Sequence, residues 1–110
     1  MKCMIKGGIN GARIHGLRPE MVVALIVIRD AFFDAGENCV ITSGIEGRHG
    51  RASLHLVGAA LDFRTGGMPR ELASEIATEI REGLGLDFDV VVERTHLHVE
   101  WQPKQGYDQH

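Results

Sequence analysis

The sequence predicts an α+β domain, because two segments carry helical signals and four short runs carry strand signals. Three observations lead there. An unbroken apolar run, "MVVALIVI", lies between Pro19 and Gly36. A stripe of Leu72, Ile76, Ile80 and Leu84 recurs every four residues. In the last third, apolar residues alternate with polar ones in "LDFDVVVE" and "HLHVEW", the period of half-buried strands. At 110 residues the chain is expected to form one domain, 1–110, able to bury a core without help from metal or disulfide.

Taken in order, the first helix opens at Pro19, whose fixed φ suits a first turn, with Glu20 at the positive end of the dipole. Gly36 ends it after Phe32 and Phe33, and its nearly uniform apolarity predicts a buried core helix. "NCVITSG" and "GAALDFR" read as strands bracketing a loop rich in Gly, Arg and His. The second helix opens at Pro69 and is closed by Gly83 and Gly85. Ala73 and Ala77 widen its apolar stripe, while Glu71, Glu75, Glu79 and Glu82 form a solvated acidic face.

The final two strands predict a hairpin closed by Arg94-Thr95, in which Val92 faces Leu97, Val90 faces Val99 and Phe88 faces Trp101. Arg-Thr lacks the Gly or Asn that a tight hairpin turn favours, so a longer or bulged loop is the alternative. The opposite face of this hairpin collects Asp89, Glu93, His96, His98 and Glu100.

Composition removes several classes of function. With 44% hydrophobic and 25% charged residues, the chain is an ordinary globular protein, and a net charge of −3 without a Lys/Arg cluster argues against nucleic-acid binding. The longest apolar run is far short of the ~20 residues that span a bilayer. No run of the ~7 to 15 apolar residues of a secretory signal follows Met1, so synthesis without an export signal is expected. Cys3 and Cys39 match no CxxC pattern and read as reduced thiols of a reducing cytosol, Cys39 buried.

Two imidazoles that alternate out of one strand, together with His55 and Asp62 upstream, supply the nitrogen and oxygen donors of a zinc site with an open position. The motifs carry a resemblance. "SLHLVGAALD" is similar, at Ser53, His55, Gly58, Ala60 and Asp62, to the SxHxxGxAxD motif of the zinc D-Ala-D-Ala carboxypeptidase and L-alanyl-D-glutamate endopeptidase family. "HLHVEW" resembles that family's closing HxH strand, and "ITSGIEGRHG" the strand and loop that precede the motif in small phage-encoded members.

The resemblance covers roughly residues 40 to 103 and implies a hedgehog/DD-peptidase type of α+β fold, a small antiparallel sheet carrying one zinc ion and packed against two helices. It implies His55, Asp62 and His98 as zinc ligands, with Ser53 orienting one of them. It further implies hydrolysis of a peptide bond in the peptidoglycan stem, by a phage lysis enzyme released through a holin or by a virion component. The family's catalytic acid falls where this chain has Thr95, and an arginine that holds substrate charge falls at Glu46. The hairpin places Glu93 across from His96 and diagonal to His98, so Glu93 is the expected general base, with Glu100 second. His96 is expected to hydrogen-bond the substrate carbonyl or its oxyanion. Arg48, Arg51 and Arg64 are the candidate substitutes for the missing arginine, and His49 is a candidate substrate contact. Thr95 and Glu46 keep open the alternative, a non-catalytic zinc-binding structural or cell-wall-binding module of a phage.

Overall fold

Alternation and helical periodicity resolve into two layers, a five-stranded sheet with two helices on one face. The computed structural model describes residues 3–7, 16–43 and 58–103. Its elements are β1 (Cys3–Ile5), α1 (Pro19–Asp34), β2 (Cys39–Ser43), β3 (Ala60–Arg64), α2 (Arg70–Leu84), β4 (Phe88–Val92) and β5 (His96–Trp101). The sheet order is β1-β2-β3-β5-β4. All neighbours are antiparallel except β1 and β2, which are parallel, so the sheet is mixed rather than antiparallel as expected.

The hairpin forms in the expected register: Phe88 pairs with Trp101, Val90 with Val99 and Val92 with Leu97. The Glu93 N–H donates to the His96 carbonyl at 2.8 Å, which leaves Arg94 and Thr95 as the whole connection. On the other side of β5, Leu61 pairs with Val99 and Phe63 with Leu97. These residues make one apolar sheet face, and α1 and α2 cover it.

The core joins Met21, Ala24, Ile28, Ala31 and Phe32 of α1 to Ile76, Ala77 and Ile80 of α2 and to Ile41, Leu61, Phe63, Leu97 and Val99 of the sheet. Full burial of each large aliphatic or aromatic side chain among them contributes roughly 1.5–3 kcal/mol. The Phe32 and Phe63 rings meet at 6.0 Å between centroids and tie helix to sheet. Gly83 lies inside α2 rather than ending it, because a Cβ there would stand 2.6 Å from Val27 Cγ1 and hold the helices apart. Gly36 and Gly85, both at positive φ, follow the two helix ends as expected.

Only one side of α1 is buried. Val22, Val23, Ile26 and Phe33 are each at least half exposed, which corrects the expectation of a helix buried all round. A helix on the outer side of a two-layer domain has one face against the sheet and another facing away from it. The acidic face of α2 is exposed at Glu71, Glu75 and Glu82, as expected, with Glu79 half-buried. Glu79 shares a hydrogen bond with Asp34 of α1, and that bond, with the nearby carboxylates, raises its pKa above the usual 4.5.

The reading of Cys3 and Cys39 as reduced thiols is overturned. They are register partners in the β1–β2 pair, their Cα atoms lie 4.5 Å apart, and a disulfide joins them. Cys39 is buried, as expected. A three-residue parallel edge strand makes few bonds of its own, so the covalent link is what holds β1 to the sheet. Peptide mapping of unreduced protein should recover Cys3 joined to Cys39, and the paired Cys3→Ser and Cys39→Ser substitutions should lower unfolding free energy by about 2–4 kcal/mol. Two free thiols in air-purified protein would contradict the pairing.

Candidate metal centre

The sheet face turned away from the helices carries the polar residues, and two strand pairings place them. Asp62 of β3 stands opposite His98 of β5, with Arg64 opposite His96 and Ala60 opposite Glu100. On the far side of β5, Val91 stands opposite His98 and Asp89 opposite Glu100. Because side chains alternate along a strand, burying Leu97 and Val99 beneath the helices turns His96, His98 and Glu100 to this face.

His98 is the centre of the group. It is 1% exposed, its Nδ1 lies 2.7 Å from Asp62 Oδ1, and its Nε2 lies 2.6 Å from Glu100 Oε1. Burial alone would lower its pKa, but the hydrogen bonds and charges of Asp62 and Glu100 outweigh it and raise the pKa above the usual 6.5. Glu100 is itself buried, and its second oxygen accepts from the Gln102 side-chain amide.

His96 sits nearer the surface, where its Nε2 lies 3.0 Å from Glu93 Oε1 and 3.8 Å from Asp62 Oδ1. The Thr95 hydroxyl stands 3.3 Å from Nδ1 of the same ring. With Nε2–H donating to Glu93, Nδ1 accepts from Thr95, so the threonine orients a histidine. Asp62, His98, His96, Glu93 and Glu100 therefore form one connected cluster. Arg64 is exposed at its His96 end.

Two backbone features support Asp62. The β2–β3 register slips between Ile41 and Ser43, a bulge that places Thr42 beside β3, where its hydroxyl lies 3.5 Å from the Asp62 carbonyl. Gly58 turns the chain into β3 at φ +75°, and a Cβ there would lie 2.2 Å from the Gly16 carbonyl oxygen. Arg18 donates its N–H to the Gly58 carbonyl in that close approach, and its guanidinium lies 4.9 Å over the Trp101 ring. The bulge and the packing at Gly16 have no signal in the sequence.

His55, Ser53, His49, Arg48, Arg51 and Glu46 lie outside the described residues. Among the described residues no set of three or more His, Cys, Asp or Glu side chains is arranged to hold a metal ion. Asp62 and His98 nevertheless fit two arms of a zinc site. A carboxylate oxygen and an imidazole nitrogen converge, and the other ring nitrogen rests on a carboxylate, the outer support that ligand histidines receive. An ion held between them would take the place of the Nδ1 proton.

Compared with protein-family models, with curated proteins and with solved structures, the chain finds no match in any of the three. Among the described residues no helix is long and apolar enough to cross a membrane.

Replacing Asp62 by alanine leaves the apolar face untouched and removes one oxygen donor, so the variant should unfold cooperatively while losing most of its zinc affinity. The lost hydrogen bond to His98 should cost about 1.5–3 kcal/mol of stability. Calorimetric zinc titration and thermal unfolding of the same sample check both parts, and unchanged zinc affinity would remove Asp62 from the site.

Proposed function

We propose that the chain is a zinc-dependent peptidase that hydrolyses a peptide bond of the peptidoglycan stem, of the D-Ala-D-Ala carboxypeptidase or L-Ala-D-Glu endopeptidase type. The observation that carries this reading is the convergence of Asp62 and His98 beside the His96–Glu93 pair on one sheet face. The substrate class rests on the resemblance of the His55–Asp62 and His96–His98 motifs to the peptidase family.

His55, Asp62 and His98 would hold the ion. Bound there, zinc supplies polarisation of a carbonyl and a water of lowered pKa. Glu93 holds and passes on the proton. Its carboxylate is at the partly open end of the cluster and is steadied by His96, whereas Glu100 is buried against His98 and Gln102. That contrast favours Glu93 over Glu100 as general base. His96, anchored by Thr95 on Nδ1, would turn its Nε2–H from Glu93 to the substrate carbonyl as that oxygen gains charge.

The Cys3–Cys39 disulfide supports a place of action in an oxidising environment such as the cell wall, reached by holin release or as part of a virion. One observation favours the rival, a zinc-binding structural or wall-binding module without activity: the position of the family's acid is filled by Thr95, which hydrogen-bonds His96.

Mass spectrometry of purified wall peptides incubated with the protein separates these readings. The peptidase yields new fragments that a chelator suppresses, and Glu93→Gln keeps zinc while turnover falls by about 10²- to 10⁴-fold. Zinc-loaded parent protein that cuts no wall peptide contradicts the enzyme and favours the module.

A further inference from the structure

Glu100 lies on the site face but does not share the surroundings of Glu93. Both its oxygens meet donors: Oε1 lies 2.6 Å from His98 Nε2, and Oε2 accepts from the Gln102 amide. Its side chain is 11% exposed and that of His98 is 1% exposed. Its register partner Ala60 is fully buried, and the mostly buried carboxylate stands at the edge of a pocket that Asp89 and Val91 also line.

We propose that Glu100 is the positioning residue of the metal centre, holding the His98 proton on Nε2 so that Nδ1 is the nitrogen turned to an ion shared with Asp62. The proposal rests on the reading of Asp62 and His98 as zinc ligands. With an ion in place of the proton between Nδ1 and Asp62 the ring would keep one N–H, and since an ionised carboxylate only accepts, that N–H is the one Nε2 donates to Glu100. Nδ1, 2.7 Å from Asp62 Oδ1, is then the nitrogen that would share an ion with that carboxylate. Gln102 completes the arrangement by holding the second Glu100 oxygen, which fixes the plane of the carboxylate and through it the plane of the ring. Alternation along β5 makes this possible, since His98 and Glu100 point the same way.

The arrangement requires two acceptors at position 100, which a glutamine does not provide. In Glu100→Gln the single amide oxygen serves either His98 or Gln102, and the other donor faces an N–H₂. Exchanging the pair, Glu100→Gln with Gln102→Glu, restores complementarity: the new amide oxygen accepts from His98 and its N–H₂ donates to the carboxylate at 102. Gln102 is exposed, so a charge is tolerated there.

Zinc affinity of the metal-free full chain, measured by competition with a chromophoric chelator, tests this without reference to cleavage. Glu100→Gln should bind zinc about 10- to 100-fold more weakly, and the exchanged pair should recover most of the loss. Long-range ¹H–¹⁵N correlation spectra of the zinc-loaded parent should show His98 protonated on Nε2 and bound to metal through Nδ1. Parent-like affinity in Glu100→Gln, or metal on Nε2, overturns the role of Glu100 while leaving the zinc reading intact. A parent that binds no zinc overturns both. If Glu100→Gln does not fold, the nitrogen found to carry the metal in the parent decides alone.

Discussion

The pairing of β3 with β5 at Asp62 and His98 is the constraint on which the molecule turns. A strand has two faces and a period of two, so one register sets both the core and the site. With Phe63 opposite Leu97 and Leu61 opposite Val99, the apolar side chains meet the helices. The residues between them then face the other way, and a carboxylate meets an imidazole. A slip of one residue would put His98 into the core and Leu97 onto the polar face. The apolar layer therefore enforces the polar one, and hydrophobic burial supplies the free energy that holds the charged cluster together.

That cluster could not stand without its internal pairing. An isolated charge at 1% exposure would be strongly disfavoured, whereas a proton on either His98 ring nitrogen meets a carboxylate, which raises the pKa of the ring. The group thus has more acid than base. Asp62, Glu93 and Glu100 surround two histidines, three acidic side chains to two basic ones. Two of the carboxylates differ in depth: Glu100 is mostly buried against His98, and Glu93 stands nearer the surface.

Much of this was legible in the sequence, for reasons that differ between elements. The β4–β5 register followed from matching two alternating runs across a fixed turn, and it placed Glu93, His96, His98 and Glu100 on one face. Helix ends followed from Pro19, Gly36, Pro69 and Gly85. The residues "CMI" of β1 carry no periodicity, and a disulfide between cysteines 36 positions apart depends on spatial register that no local pattern encodes. The exposed side of α1 was hidden by its own composition, since an apolar helix reads as buried until the number of layers is known. Gly83 read as a stop because its role is contact with another helix. Glu100 was visible as a carboxylate on the correct face, but its place behind His98 depends on side-chain packing and on Gln102.

The central claim is that the β3–β5 register builds a cation site from Asp62 and His98. Anomalous diffraction at the zinc edge from crystals of the full chain grown with zinc tests it most directly. The account predicts one strong peak at bonding distance, about 2.0–2.2 Å, from both the Asp62 carboxylate and His98 Nδ1. A peak elsewhere, with Asp62 and His98 still hydrogen-bonded to each other at saturating zinc, would contradict it.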